Sequence, residues 1–189
     1  MNSDMVRQVT VEPQKVINEV IEIRRVGKVT KGGKRMKFRV VVVAGDGEGH
    51  VGVGIGKSIE IPQAIQQGIR DALRNLVEVP VVNGTIPHEI VGEFKAARVL
   101  LKPAYPGTGV IAGRTVGAVC RAAGIRDILT KALGSTNPLN LARATLEGLS
   151  RLRTPDEVAA VRDKPVEEIL GVEPEEEKDA TEEKDAGTP

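Results

Sequence analysis

The chain has 189 residues and a formal net charge of +1, and its 2% aromatic content is Phe38, Phe94 and Tyr105 alone. That length fits one or two domains. The single cysteine, Cys120, excludes an internal disulfide, and the longest unbroken apolar run, Val40 to Ala44, is far too short to span a membrane. The N-terminal stretch lacks the apolar core of a signal peptide, so a reducing, cytoplasmic setting is expected.

The near-zero net charge conceals an asymmetry. From Glu173 to Pro189 eight acids stand against Lys178 and Lys184, a net of −6, which leaves +7 for the rest of the chain. A basic body with an acidic, solvated tail is the pattern of a nucleic-acid binder.

In chain order, residues 1–15 read as an irregular arm. Val16 to Val29, Met36 to Ala44 and His50 to Ile55 read as strands. Between the first two lie Gly32 and Gly33, a turn flanked by lysines and arginines. A helix follows, with Ile61, Ile65, Ile69, Ala72, Leu73 and Leu76 at spacings of three and four and Pro62 in its first turn. Residues 16–79 thus form one sheet-and-helix unit, and residues 80–87 read as a linker.

The second unit, residues 88–171, opens with strands at Glu89 to Phe94 and Ala97 to Lys102. A glycine-rich loop follows, then a helix with Val116, Val119, Cys120 and Ala123 on its apolar face. Ile128 to Leu133 reads as a short strand. The next helix has Ser135, Thr136 and Asn137 available as caps, Pro138 in its first turn, and Leu139, Ala142, Leu146 and Leu149 on its face. Thr154 to Glu157 matches a capping box that opens a short helix through Ala160. A last turn, Val166 to Leu170, precedes an acidic tail, 172–189, whose composition predicts disorder.

Eight basic residues and no acidic one lie between Arg24 and Arg39. Ordinary surfaces intersperse both signs, so this hairpin reads as a phosphate-binding finger. With so few rings, RNA would be held by phosphates, 2′-hydroxyls and shape rather than by stacking. Lys28, Lys31, Lys34 and Arg35 are the leading contacts, Gly32 and Gly33 let the tip approach closely, and Arg24, Arg25 and Lys57 are secondary.

Other motifs read as structural. Gly47-x-Gly49-x-x-Gly52 spells the dinucleotide fingerprint but enters an alternating strand rather than a helix. Gly56-Lys57-Ser58 ends like a P-loop, yet Val51 stands where that loop needs glycine. Instead, Gly52, Gly54 and Gly56 leave one strand face bare for a close neighbour, RNA or protein. Gly107, Gly109 and Gly113 before a helix are either an anion site or a tight connection. Arg114, Gly117 and Arg121 form a stripe that could meet phosphate or an acidic protein. His50, His88 and Cys120 offer no metal spacing and no nucleophile–base pairing. The alternative to an RNA binder, a nucleotide-binding enzyme built on these glycines, is poorly supported.

Several ordered strings resemble one family. They include Arg25-Val26-x-Lys28-x-x-Lys31-Gly32-Gly33, Val43-x-Gly45-Asp46-Gly47, Val51-Gly52-x-Gly54-x-Gly56-Lys57 and Asn83-Gly84-Thr85. Further along come Gly107-Thr108-Gly109-Val110-Ile111-Ala112-Gly113, Gly134-Ser135-Thr136-Asn137-Pro138-x-Asn140 and Val166 to Gly171. Together these resemble the universal small-subunit ribosomal protein numbered five in the bacterial series.

The resemblance implies an α+β protein, with an N-terminal double-stranded-RNA-binding-like domain (three-stranded antiparallel sheet plus helix). Its C-terminal half would be a two-layer α/β sandwich with a left-handed βαβ crossover. It implies no catalysis and no cofactor. The implied partners are small-subunit (16S) ribosomal RNA and the neighbouring proteins numbered four and eight, near the messenger-RNA entrance. The implied roles are stabilising head against body and supporting decoding accuracy. Carried onto this sequence, the RNA- and spectinomycin-linked loop is Val26 to Arg35. The face toward protein four is Gly107 to about Ala118, including Thr108, Gly109, Gly113, Arg114 and Gly117. Gly117 stands where many relatives carry arginine, and Arg114 and Arg121 fall at positions often not basic.

Overall fold

Val40, Val41, Val42 and Val43 are all fully buried. Neighbouring strand residues point to opposite faces, so this strand is covered on both. The computed structural model of the chain, which describes residues 16–170, shows by what. β1 (Ile17–Thr30), β2 (Gly33–Gly45), β3 (His50–Ser58) and β4 (Leu76–Glu78) form an antiparallel sheet in that order. On one face α1 (Ile61–Arg74) packs its Ala64 against Val40 and Val42, and on the other Val41 and Val43 share a core with α2 (Arg114–Ala122).

The bare glycine face of β3 is filled by α1. A Cβ on Gly52 would lie 2.2 Å from the Ala72 carbonyl oxygen, on Gly54 2.1 Å from that of Gly68, and on Gly56 1.6 Å from that of Ala64. The helix answers with its own small residues, Ala64, Gly68 and Ala72, as its buried stripe. Ile65 and Ile69 flank that stripe and are only partly buried. Backbone packs on backbone, which leaves no room for a nucleotide on this side of the glycines.

Leu76, expected on the helix, lies outside it. Asn75 leaves helical geometry at φ −113° and its side chain donates to the Asp71 carbonyl at 2.9 Å. Leu76 is thereby released to pair with Gly52 as the start of β4, a strand the periodicity had not marked.

In the second half β5 (Ile90–Phe94), β6 (Ala97–Pro103), β7 (Val110–Ile111) and β8 (Ile128–Ala132) form a mixed sheet in the order β5-β6-β8-β7. β7 and β8 are parallel, and the chain passes from one to the other through α2, forming the expected βαβ crossover. The two-residue β7 lies within the glycine-rich loop, too short to show as a periodic pattern. α3 (Pro138–Ser150) starts at Asn137, whose side chain accepts from the Asn140 N–H as anticipated. Its Ala144 and Gly148 pack on β5 so closely that a Cβ on Gly92 would stand 2.1 Å from the Ala144 carbonyl oxygen.

One continuous core joins the two halves: Val41, Val43, Val51 and Val53 pack with Val99, Leu101, Val119, Ile128 and Leu149. The Asp46–Gly49 turn seals them, with Gly47 N–H donating to the Ala122 carbonyl at 3.0 Å and Gly49 N–H to that of Ala123 at 3.1 Å. Around residues 80–87 the chain is also packed: Val79 and Ile86 are buried, and the Gly84 carbonyl accepts from Arg126 and Asp127 N–H groups.

The described residues through Leu152 form one compact unit, and those from Arg153 a second. The second holds α4 (Pro155–Arg162), opened by the expected Thr154–Glu157 capping box, and α5 (Val166–Leu170). The arm at 1–15 and the tail at 172–189 lie outside the described residues. Among those described, no helix is long and apolar enough to cross a membrane.

Candidate RNA-binding hairpin

β3 ends at Ser58, opposite Phe38, so beyond that point β1 and β2 continue as a two-stranded ribbon. Every residue from Gly27 to Lys37 is exposed. Thr30 pairs with Gly33 across a Lys31-Gly32 turn, and the Thr30 hydroxyl donates to the Gly33 carbonyl at 3.0 Å. Gly33 adopts φ 135°, a region closed to most side chains. No atom lies within 4 Å of a Cβ built on Gly32 or Gly33, so the tip is narrow and open.

Register sorts the cations. Directly opposed residues of an antiparallel pair share a face. Arg24 opposes Arg39, Val26 opposes Lys37, Lys28 opposes Arg35, and Arg39 in turn opposes Lys57 on β3. Six cations therefore lie on one face: Arg24, Lys28, Arg35, Lys37, Arg39 and Lys57. Along β2, Arg35, Lys37 and Arg39 repeat every second residue, about 7 Å. Val26, Lys28, Arg35, Lys37 and Lys57 line a 310 Å³ hollow on that face. Arg25 and Lys34 point to the other face, and Lys31 sits at the tip.

Glu22 is the sole carboxylate among the described residues in ion-pair distance of this face, 2.8 Å from Arg24 and 3.9 Å from Arg39. Lys28, Arg35, Lys37 and Lys57 have no such partner among the described residues. Like charges set directly opposite one another destabilise a hairpin. A polyanion laid along the face would relieve that repulsion. Sequence reasoning singled out Arg24, Lys28, Arg35 and Lys57 but passed over Lys37 and Arg39; the alternation counted outward from buried Val41 and Val43 puts both on this same face.

The second expected site lies elsewhere. Gly107 and Gly109 take positive φ, the Gly109 N–H donates to the buried Asp127 carboxylate at 2.7 Å, and the Thr108 hydroxyl donates to the Tyr105 carbonyl at 2.7 Å. No atom lies within 4 Å of a Cβ built on Gly107, Gly109 or Gly113, so this loop is open. Gly113 is the N-cap of α2. Arg114 reaches the Val20 carbonyl at 3.4 Å, and Arg121 grips Glu19, so the basic stripe of α2 meets β1 of the same chain. Gly117 leaves room for that guanidinium, whose nearest nitrogen lies 3.0 Å from where a Cβ would be. The two candidate sites are thus separate stretches of surface, and α2 touches the inner end of β1 between them.

The remaining ionisable groups read as structural. Burial pushes the Cys120 thiol up to about 12, with Arg121 opposing weakly. At Asp46 burial raises the carboxyl, but N–H donation from Glu48 and His50 and the His50 ring outweigh it and hold the group below its ordinary range. Among the described residues no cluster of His, Cys, Asp or Glu is arranged to hold a metal ion.

Comparison with known proteins agrees with this architecture. The family model described as "Ribosomal protein S5, N-terminal domain" matches residues 16–80, and "Ribosomal protein S5, C-terminal domain" matches residues 92–162. "Small ribosomal subunit protein uS5" of Thermotoga neapolitana is 62% identical over 151 residues, covering 80% of this chain and 85% of that protein. The protein of the same name from Thermotoga maritima is 61% identical over 152 residues, with the same coverage of each. That of Syntrophobacter fumaroxidans is 55% identical over 154 residues, 82% of this chain and 93% of the relative. With both halves matched in order and identity above half, the chain belongs to the ribosomal protein S5 family.

Proposed function

We propose that this protein is a non-catalytic, structural constituent of the small ribosomal subunit that grips small-subunit ribosomal RNA with the cationic face of its hairpin. The observation that carries the reading is the alignment of Arg24, Lys28, Arg35, Lys37, Arg39 and Lys57 on one exposed face with Glu22 as its only acidic neighbour among the described residues. Lys31 extends the contact at the tip, and the absence of side chains on Gly32 and Gly33 lets that tip press against RNA. Arg25 and Lys34 add charge from the opposite side. Phosphates and groove shape are read, since the ribbon's one ring, Phe38, is half-buried.

The open loop at Gly107, Thr108, Gly109 and Gly113, with Arg114 and Gly117 behind it, would contact the neighbouring protein numbered four. From these two surfaces follow the proposed roles in tying head to body, in contact with protein eight, and in decoding accuracy beside the messenger-RNA entrance. The test is sedimentation of the purified chain with assembling small subunits through a high-salt gradient. Stable co-migration is expected; a chain that stays at the top of the gradient overturns the reading.

A further inference from the structure

A cavity of about 750 Å³ opens where three turns of the chain converge, lined by Asn83, Gly84, Gly107, Gly109, Arg126 and Asp127 among others. Thr108 and Gly113 are not among its walls, so the loop can meet a neighbouring protein while the cavity takes a ligand. Asp127 is 8% exposed. Its Oδ1 accepts the Gly109 N–H at 2.7 Å, and its other oxygen has no partner among the described residues. That oxygen is not sealed in, since Arg39 Nε is the only sealed and unbonded side-chain polar atom among those residues. It therefore opens on the cavity that Asp127 lines. Arg126 is exposed, and its stem lies along Gly84, 3.6–3.8 Å from where a Cβ would stand. Among the described residues no carboxylate, Asp127 included, is in ion-pair distance of its guanidinium.

Unpaired charges of both signs in one cavity restrict what can fill it. A lysine or arginine side chain would satisfy Asp127 but meet the charge of Arg126. A free phosphate would satisfy Arg126 but meet the charge of Asp127. The occupant is therefore neutral and rich in donors toward Asp127 and anionic toward Arg126. Nucleotides are divided in this way. Of the four bases only guanine sets two donors, N1–H and N2–H, side by side on its Watson–Crick edge, where a carboxylate's two oxygens can accept both. Oδ1 keeps a second lone pair beside its bond from Gly109, so both oxygens are available. Tyr105, two residues before Gly107, is 89% exposed, while Phe38 and Phe94 are half-buried. It is the chain's one free ring for stacking a base.

We propose that this cavity binds a guanine nucleotide, with Asp127 reading the base edge, Arg126 holding the phosphate and Tyr105 offering a stacking face. The same chemistry is carried by an unpaired guanosine of RNA and by a free guanine nucleotide. Only the RNA source rests on the assembly reading above.

The test compares the full-length chain with Asp127→Asn, whose amide keeps an acceptor for the Gly109 N–H but turns the free oxygen into a donor. In small subunits assembled from purified RNA and purified proteins, unpaired guanines are probed with kethoxal, which modifies their N1 and N2. One guanine is expected to be spared with the parent chain and modified with Asp127→Asn, which assigns the ligand to RNA. On the isolated chain, guanosine monophosphate is expected to bind about tenfold tighter than adenosine monophosphate, and Asp127→Asn to erase the difference. That discrimination without an Asp127-dependent footprint assigns the ligand to a free nucleotide. Neither result, as when a basic side chain of a neighbouring protein fills the cavity, overturns the guanine site and leaves assembly intact. A parent chain that fails to enter particles overturns assembly, and the isolated-chain measurement then decides the site alone. Arg126→Ala changes an exposed side chain and serves where Asp127→Asn does not fold. It is expected to weaken guanosine monophosphate about fivefold and leave guanosine unchanged; no loss on the monophosphate overturns the phosphate contact.

Discussion

Arg121 of α2 holds Glu19 of β1 through both carboxylate oxygens, at 3.0 and 2.9 Å, across 102 residues of sequence. The pair fastens the base of the hairpin ribbon to the helix that crosses between β7 and β8. Both side chains are partly exposed, at 50% and 34%, so solvent screens the attraction. Arg121→Ala is expected to lower stability by about 0.5–1 kcal/mol, more at low salt than at high salt. Urea unfolding of Arg121→Ala, Glu19→Gln and the double variant should show a coupling between the two. Strictly additive losses would mean the pair contributes nothing.

Glycines separate cleanly by what surrounds them. Gly54→Ala would push a methyl to 2.1 Å from the Gly68 carbonyl oxygen and 2.3 Å from the Ala72 nitrogen, both backbone atoms that move only if α1 lifts off the sheet. The expected loss is about 3 kcal/mol or more. Gly32→Ala meets no atom within 4 Å, so its stability should stay within about 0.5 kcal/mol of the parent. Thermal melts of the two variants decide it: similar midpoints would contradict the backbone-on-backbone packing of α1 and β3.

Asp46 predicts a pH signature. Its folded carboxyl titrates below the unfolded value of 3.8, so the ionised form is favoured by folding. That stability is fully present above pH 3.8 and is lost as pH falls through the lower, folded value. Asp46→Asn removes the charge but keeps an acceptor for the Glu48 and His50 N–H groups. The stability gap between parent and variant should shrink below about pH 4. A gap that persists unchanged in acid would show that charge at Asp46 does not matter.

Much of this was readable from local chemistry. The hairpin showed in its charge run and paired glycines, α3 in Asn137-Pro138, and α4 in its capping box, because turns and caps depend on a few adjacent residues. What stayed hidden depended on distant partners. The bare face of β3 was legible, but its occupant was not, since Ala64, Gly68 and Ala72 carry no large side chain to reveal a packed stripe. Leu76 fitted the helical period and was taken by β3's edge instead, a tertiary preference outweighing a local one. The stripe of Arg114 and Arg121 looked free because Glu19 and Val20 lie about a hundred residues upstream. Lys37 escaped because charge was read along the chain, whereas register across two strands decides which cations stand together.

The salt dependence of RNA affinity tests the cationic face most directly. Replacing Lys28, Arg35, Lys37 and Lys57 together by Ala is expected to flatten the slope of log affinity against log salt by about 3, close to one per lost phosphate contact. The same number of alanines at surface cations away from the hairpin should leave it unchanged. If the hairpin variant kept the parent's full slope, these four side chains would not touch phosphate, and the face they form would not be the RNA grip.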